Sequence, residues 1–247
     1  MHNRSKRAAR VVPYQKGEGN LFSQQFWYVG ALALFVIVLE VFTAKYAAQH
    51  RFVARVMLWC AAAFVLVYEI VLFARTRAIP IAFSTFSYFL FGIAVFLPLR
   101  PLKSAAAFCS FISGVVYLSS FVLYPDVVYA NQPNEAERIV GFLLHNLMLF
   151  GSLLLYGQCK VHKTDVFYIL GFVAFVVVYT EVAVHVCASE QANFLTVGII
   201  EATLVKQIAP HFAVRWWWYD LWYAFVAVVA WAMWELTCLI NNKLVRQ

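Results

Sequence analysis

Apolar residues in this chain run in long unbroken stretches, and neither the alternation of a half-buried strand nor the one-sided stripe of a soluble helix is present. A hydrocarbon core about 30 Å thick needs roughly 20 apolar residues per helix. Stretches of that order lie near residues 26–44, 52–74, 78–99, 104–125, 140–157, 166–187 and 216–240. Continuous runs argue for helices over a β-barrel, because in lipid every backbone amide must find a partner within its own element or across a closed sheet. The pattern predicts an all-α, polytopic transmembrane helix bundle of about seven spans. Residues 1–25 form a basic N-terminal tail, 26–240 a single transmembrane domain and 241–247 a short C-terminal tail.

Composition agrees: 64% of the 247 residues are hydrophobic, 18% aromatic and 13% charged, which leaves no room for a soluble domain. The formal charge of +7 gathers in the tail and at the span ends, so it reads as anchoring at lipid headgroups and excludes nucleic acid as a partner. The tail, MHNRSKRAARVVPYQKGEGN, has no acid before Glu18 and no apolar core of a secretory signal. It suits an organellar address or a basic segment lying on anionic lipid, which points toward the mitochondrial inner membrane, with the endoplasmic reticulum as the other setting. Lys and Arg divide evenly between the two sides, so absolute orientation does not follow.

Cys60, Cys109, Cys159, Cys187 and Cys238 stand at no metal or redox spacing and read as packing residues. Dinucleotide, nucleotide and zinc-protease fingerprints are absent, and no cofactor or metal is expected. Few glycines and prolines interrupt the spans, and neither an internal repeat nor a charged ring is visible, which argues against a transporter or a channel.

Candidate chemistry comes from depth. At about 1.5 Å per residue, Ser84 in IPIAFSTFSYF lies roughly 9 Å inside the third span. His145 has a similar depth in the fifth. Glu69, Glu181, His185 and Asp220 sit near the same face on three further spans. An ionisable group in the membrane costs roughly 2.5–3.5 kcal/mol near a helix centre, so such groups face the bundle interior and find one another or water. The layer has two readings. Glu69, His145 and Glu181 hydrogen-bond across helices and hold the bundle together, while Ser84, Thr85 and Ser87 are small hydroxyls that let helices approach. Alternatively, Ser84 or Thr85 is a nucleophile with a base beside it. The run WWWYDLWY at 216–223 reads as an interfacial aromatic belt.

IPIAFSTFSYFLFGIAVF, then LYPD, then GFLLHNLMLFGSLLLYG, then ANFLT ahead of a Trp- and Tyr-rich last span, resembles the YwaF-like integral membrane proteins and their relatives of the transmembrane protein 164 type. The resemblance runs from about residue 52 to 236. It implies a lipid acyltransferase fold in which a Cys in the third span accepts the acyl group, paired with a His in the fifth. Pro80, His145 and Asn193 match that pattern. The nucleophile position holds Ser84, and Ala82 replaces a His of the opening motif. A Ser needs an adjacent general base to attack, which the resemblance assigns to His145, with Glu69 or Glu181 orienting the imidazole. A more distant likeness to androgen-induced fatty-acid-ester hydrolases, which use Thr and His, keeps Thr85 as a second nucleophile. The substituted motif equally suits a non-catalytic accessory subunit that packs against other membrane subunits and binds lipid.

Overall fold

The computed structural model describes residues 24–76, 83–123, 135–187 and 217–245, with some side chains inside those helices left out; the N-terminal tail, Pro80, Ala82, Asn193 and the side chains of Glu181, His185 and Asp220 lie outside the described set. Among the described residues helix is the only regular structure. The elements are α1 (Gln24–Gln49), α2 (Arg51–Thr76), α3 (Phe83–Phe96), α4 (Arg100–Leu123), α5 (Glu135–Gln158), a 3-10 turn (Lys163–Asp165), α6 (Val166–Cys187) and α7 (Trp217–Val245). Four stretches are long and apolar enough to cross a membrane: Gly30–Ala47, Arg51–Thr76, Arg100–Val122 and Ile139–Gln158; Phe83–Phe96 is a shorter apolar helix. The expected all-α membrane bundle is present at this coarser level. The last helix continues into the segment read as a C-terminal tail, and Asn241 is buried in it.

Local sequence explains the breaks. His50 alone separates α1 from α2; its N–H donates to the Ala47 carbonyl and its own carbonyl accepts from the Ala54 N–H, both at 3.0 Å. One residue therefore serves the end of one helix and the start of the next. Pro98 follows the end of α3, and Pro101 occupies the first turn of α4, where its missing N–H needs no partner.

Small residues set the packing. The buried stripe of α2 reads Ala54, Leu58, Ala61, Ala62, Val65 and Glu69, and α4 carries Ala105, Ala106 and Ala107. In lipid, helix association rests on close van der Waals contact and cross-helix hydrogen bonds, which such residues permit. The most extensive contact joins α4 and α5. Gly114 lies at it: a Cβ there would stand 2.7 Å from the Leu149 Cβ and 2.9 Å from the His145 carbonyl oxygen. The opposite surfaces of α1 and α2 present Leu34, Phe35, Phe42 and Val67 outward, as a lipid- or partner-facing wall requires.

Two polar clasps close one end of the bundle. Asp165, fully buried, receives on Oδ2 an Arg100 guanidinium N–H at 2.9 Å, the Ser104 hydroxyl at 2.7 Å and the His162 N–H at 2.9 Å. Asn241 of α7 donates to the carbonyls of Tyr156 and Cys159 at 2.7 Å and accepts the Val161 N–H at 2.9 Å, and Thr237 lies 3.2 Å from the Tyr156 hydroxyl.

Gly114→Ala is expected to lower stability by about 1–3 kcal/mol, since the backbone oxygen of His145 cannot swing away as a side chain would. A melting curve in mild detergent tests this, and an unchanged or raised midpoint, which alanine's better helix propensity alone would give, contradicts it. Asn241→Leu strands three buried backbone groups and is expected to cost at least about 2 kcal/mol in the same assay.

Candidate functional site

The polar layer assembles around His145. Its imidazole lies flat against Tyr117 of α4, ring centroids 3.8 Å apart and planes 9° from parallel. Tyr117 stands one turn after Gly114, so the close approach at the glycine brings the two rings into contact. Tyr88 of α3 meets the same imidazole edge-on at 5.6 Å. Its hydroxyl is 3.0 Å from Nε2 and 3.1 Å from Nδ1.

Nδ1 is also 2.7 Å from the Gly141 carbonyl oxygen, one turn earlier on α5. A carbonyl only accepts, so Nδ1 carries the proton and donates it. Nε2 is left with a lone pair facing the Tyr88 O–H. Each ring nitrogen therefore has a partner inside the bundle.

Ser84, half-buried, precedes Tyr88 by one turn on the same face of α3. Glu69 of α2 is 5% exposed and lies close enough for its charge to act on Tyr88. The structure thus joins Tyr88 to His145, with Ser84 one turn before the tyrosine on α3 and Glu69 buried on α2. No hydrogen bond between Ser84 and His145 occurs among the described residues; Tyr88 stands between them. Thr85 is half-buried on α3. Glu181 is on α6 with its side chain outside the described set. The Ser87 hydroxyl donates to the Phe83 carbonyl at 2.9 Å and is fully buried, the back-bonding expected of a small hydroxyl inside a membrane helix.

Aromatic contacts hold α3 in place against α6. Phe86 meets Tyr179 at 5.0 Å and Phe175 at 6.2 Å, both edge-on, and Phe83 meets Phe172 at 6.5 Å. Such pairs contribute about 0.5–1.5 kcal/mol each beyond area burial. They fix the rotation of α3 and hence the direction of Tyr88.

Tyr88 and Tyr117 were absent from the sequence-derived candidates. Tyr88 had a legible signal, being four residues after Ser84 and so on the same helix face. Tyr117 had none, because its role comes from a helix contact between α4 and α5. No group of three or more His, Cys, Asp or Glu side chains able to hold a metal occurs among the described residues.

Compared with known proteins, this chain matches no family model, no curated protein and no solved structure.

Tyr88→Phe keeps the ring contact but leaves Nε2 unpaired, with an expected loss of about 1–2 kcal/mol. Ser84→Ala removes a peripheral hydroxyl and is expected to cost less. Thermal unfolding of both variants in one detergent checks the ranking, and a larger loss from Ser84→Ala refutes it.

Proposed function

We propose that this chain is a non-catalytic accessory subunit of a larger membrane assembly, with its polar layer serving to lock helices together. The observation that carries the reading is the state of His145: Nδ1 is held by Gly141, Nε2 faces Tyr88, and Tyr117 covers a ring face. An imidazole so enclosed holds α3, α4 and α5 together. A general base needs its lone pair within reach of the nucleophile's proton, and here the nearest hydroxyl to Nε2 belongs to a tyrosine.

In this reading all seven helices are spans, α6 and α7 by their 22 and 29 residues, and α3 is the short member. The outward apolar rows of α1 and α2 face lipid or neighbouring subunits. The mitochondrial inner membrane is the proposed location, on the strength of the basic tail.

One observation favours a second reading, a lipid acyltransferase or fatty-acyl ester hydrolase: Ser84 stands one turn before Tyr88 on α3, and the Tyr88 hydroxyl lies 3.0 Å from Nε2 of His145. In that mechanism the Ser84 Oγ adds to the ester carbonyl while its proton passes through Tyr88 to Nε2. The carbonyl carbon's bond to the alcohol oxygen then breaks, and the alcohol leaves with that proton. Water or an acceptor hydroxyl later takes the acyl group from Ser84. The resemblance to the YwaF-like and transmembrane protein 164-type proteins supports this geometry, with Glu69 beside the tyrosine.

Gentle extraction followed by a native gel and mass spectrometry is expected to find the chain in a large assembly at fixed stoichiometry; migration alone or as a small oligomer contradicts the subunit reading. For the enzyme reading, a serine-reactive lipid phosphonate should label the wild type and spare Ser84→Ala, and equal labelling of the two eliminates it.

A further inference from the structure

A cavity of about 350 Å³ opens at the end of the bundle away from His145. It lies between the start of α2, the α3–α4 corner and the end of α5. Gln158, in its wall, is thirteen residues beyond His145 on the same helix, about 20 Å along the axis. None of the residues of the His145 cluster takes part.

Two cations line it. Arg55 comes from the second turn of α2 and the half-buried Lys103 from the first turn of α4, with Trp59, Pro98, Gln158 and Cys159 beside them. Among the described residues no carboxylate lines the cavity. The nearby guanidinium of Arg100 is already committed to Asp165, whereas neither Arg55 nor Lys103 forms an ion pair among the described residues. Arg55 and Lys103 line one concave wall, and the Asp165 carboxylate near it is held by Arg100, so an anion seated in the cavity would be attracted by both free cations.

The flanks of the cavity specify what kind of anion fits. Trp59 is 49% exposed, and Phe96 and Leu97 continue an apolar edge from the cavity onto the outer face of the bundle. Cationic groups at the end of a membrane helix, with a tryptophan beside them, stand at headgroup level. We propose that this cavity binds a phosphate-bearing anion, the headgroup of an anionic phospholipid, with Arg55 and Lys103 on the phosphate oxygens and the acyl chains along the α2–α3 edge. A cation on a phosphate gives a charge-assisted hydrogen bond, stronger than a neutral one. The site uses nothing from the His145 cluster, so it stands whether the chain is a subunit or an enzyme.

Native mass spectrometry of the full chain in neutral detergent tests this with phosphatidylglycerol, phosphatidylcholine and inorganic phosphate as probes. The wild type is expected to retain one phosphatidylglycerol in preference to phosphatidylcholine, and Arg55→Gln/Lys103→Gln to weaken that binding about tenfold or more. Failure of millimolar phosphate to displace the lipid identifies the headgroup as the source; displacement identifies a soluble phosphate. Equal retention by the double variant, or no preference over phosphatidylcholine, overturns the proposal.

A second measurement needs no variant. Cys159 lines the cavity and Cys60 is exposed on α2. Burial pushes the Cys159 thiol up to about 11, so alkylation is followed at about pH 9, where a usable thiolate fraction exists. Bound phosphatidylglycerol should slow Cys159 labelling relative to Cys60. Unchanged relative rates overturn the site even if the double variant does not fold.

Discussion

The approach of α4 to α5 at Gly114 is the constraint on which the rest of the bundle turns. A missing side chain lets the His145 carbonyl oxygen come within 2.9 Å of where any other residue would place its Cβ, and the two helices close until Tyr117 and the imidazole stack. Once the imidazole is in that position, the proton on Nδ1 and the lone pair on Nε2 follow from what is within reach, Gly141 on one side and Tyr88 on the other. Tyr88 in turn needs α3 rotated as its phenylalanines dictate. In lipid, where helices gain little from burying apolar surface against each other, contact distance and cross-helix hydrogen bonds have to specify the arrangement. A single glycine at the closest point therefore has leverage over three helices.

Much of the fold was legible in the sequence because the solvent dictates it. Long apolar runs in a bilayer become helices regardless of what packs on them, and each of the seven stretches overlaps a described helix, four of them long and apolar enough to span. The clasp made by Asn241 was not legible: it lies beyond the last apolar run, and its partners at Tyr156, Cys159 and Val161 are some 80 residues away. Asp165 likewise gathers donors from α4 across more than 60 residues, which no local pattern encodes.

The candidate site was legible in depth but not in rotation. Counting residues from each span end put Ser84, Glu69 and His145 in one layer, and of the three His145 meets Tyr88 directly. Helix rotation decides which member faces which, and that is set by side-chain packing between α3 and α6 and between α4 and α5. A depth calculation weights every polar residue at a level equally, and it passed over Tyr88 and Tyr117 because aromatic residues in a membrane span are commonplace.

Asn241 also bears on the order in which the chain can be put together. Its amide satisfies carbonyls at and just past the end of α5 and the N–H that follows them, yet it belongs to a helix that leaves the ribosome well after α5. Until α7 inserts, that end of α5 has open backbone groups near the membrane surface, where water or a holding factor must serve them. Closure of that end of the bundle therefore waits on synthesis of α7, and a chain truncated before residue 241 would expose an unfinished helix end to membrane quality control.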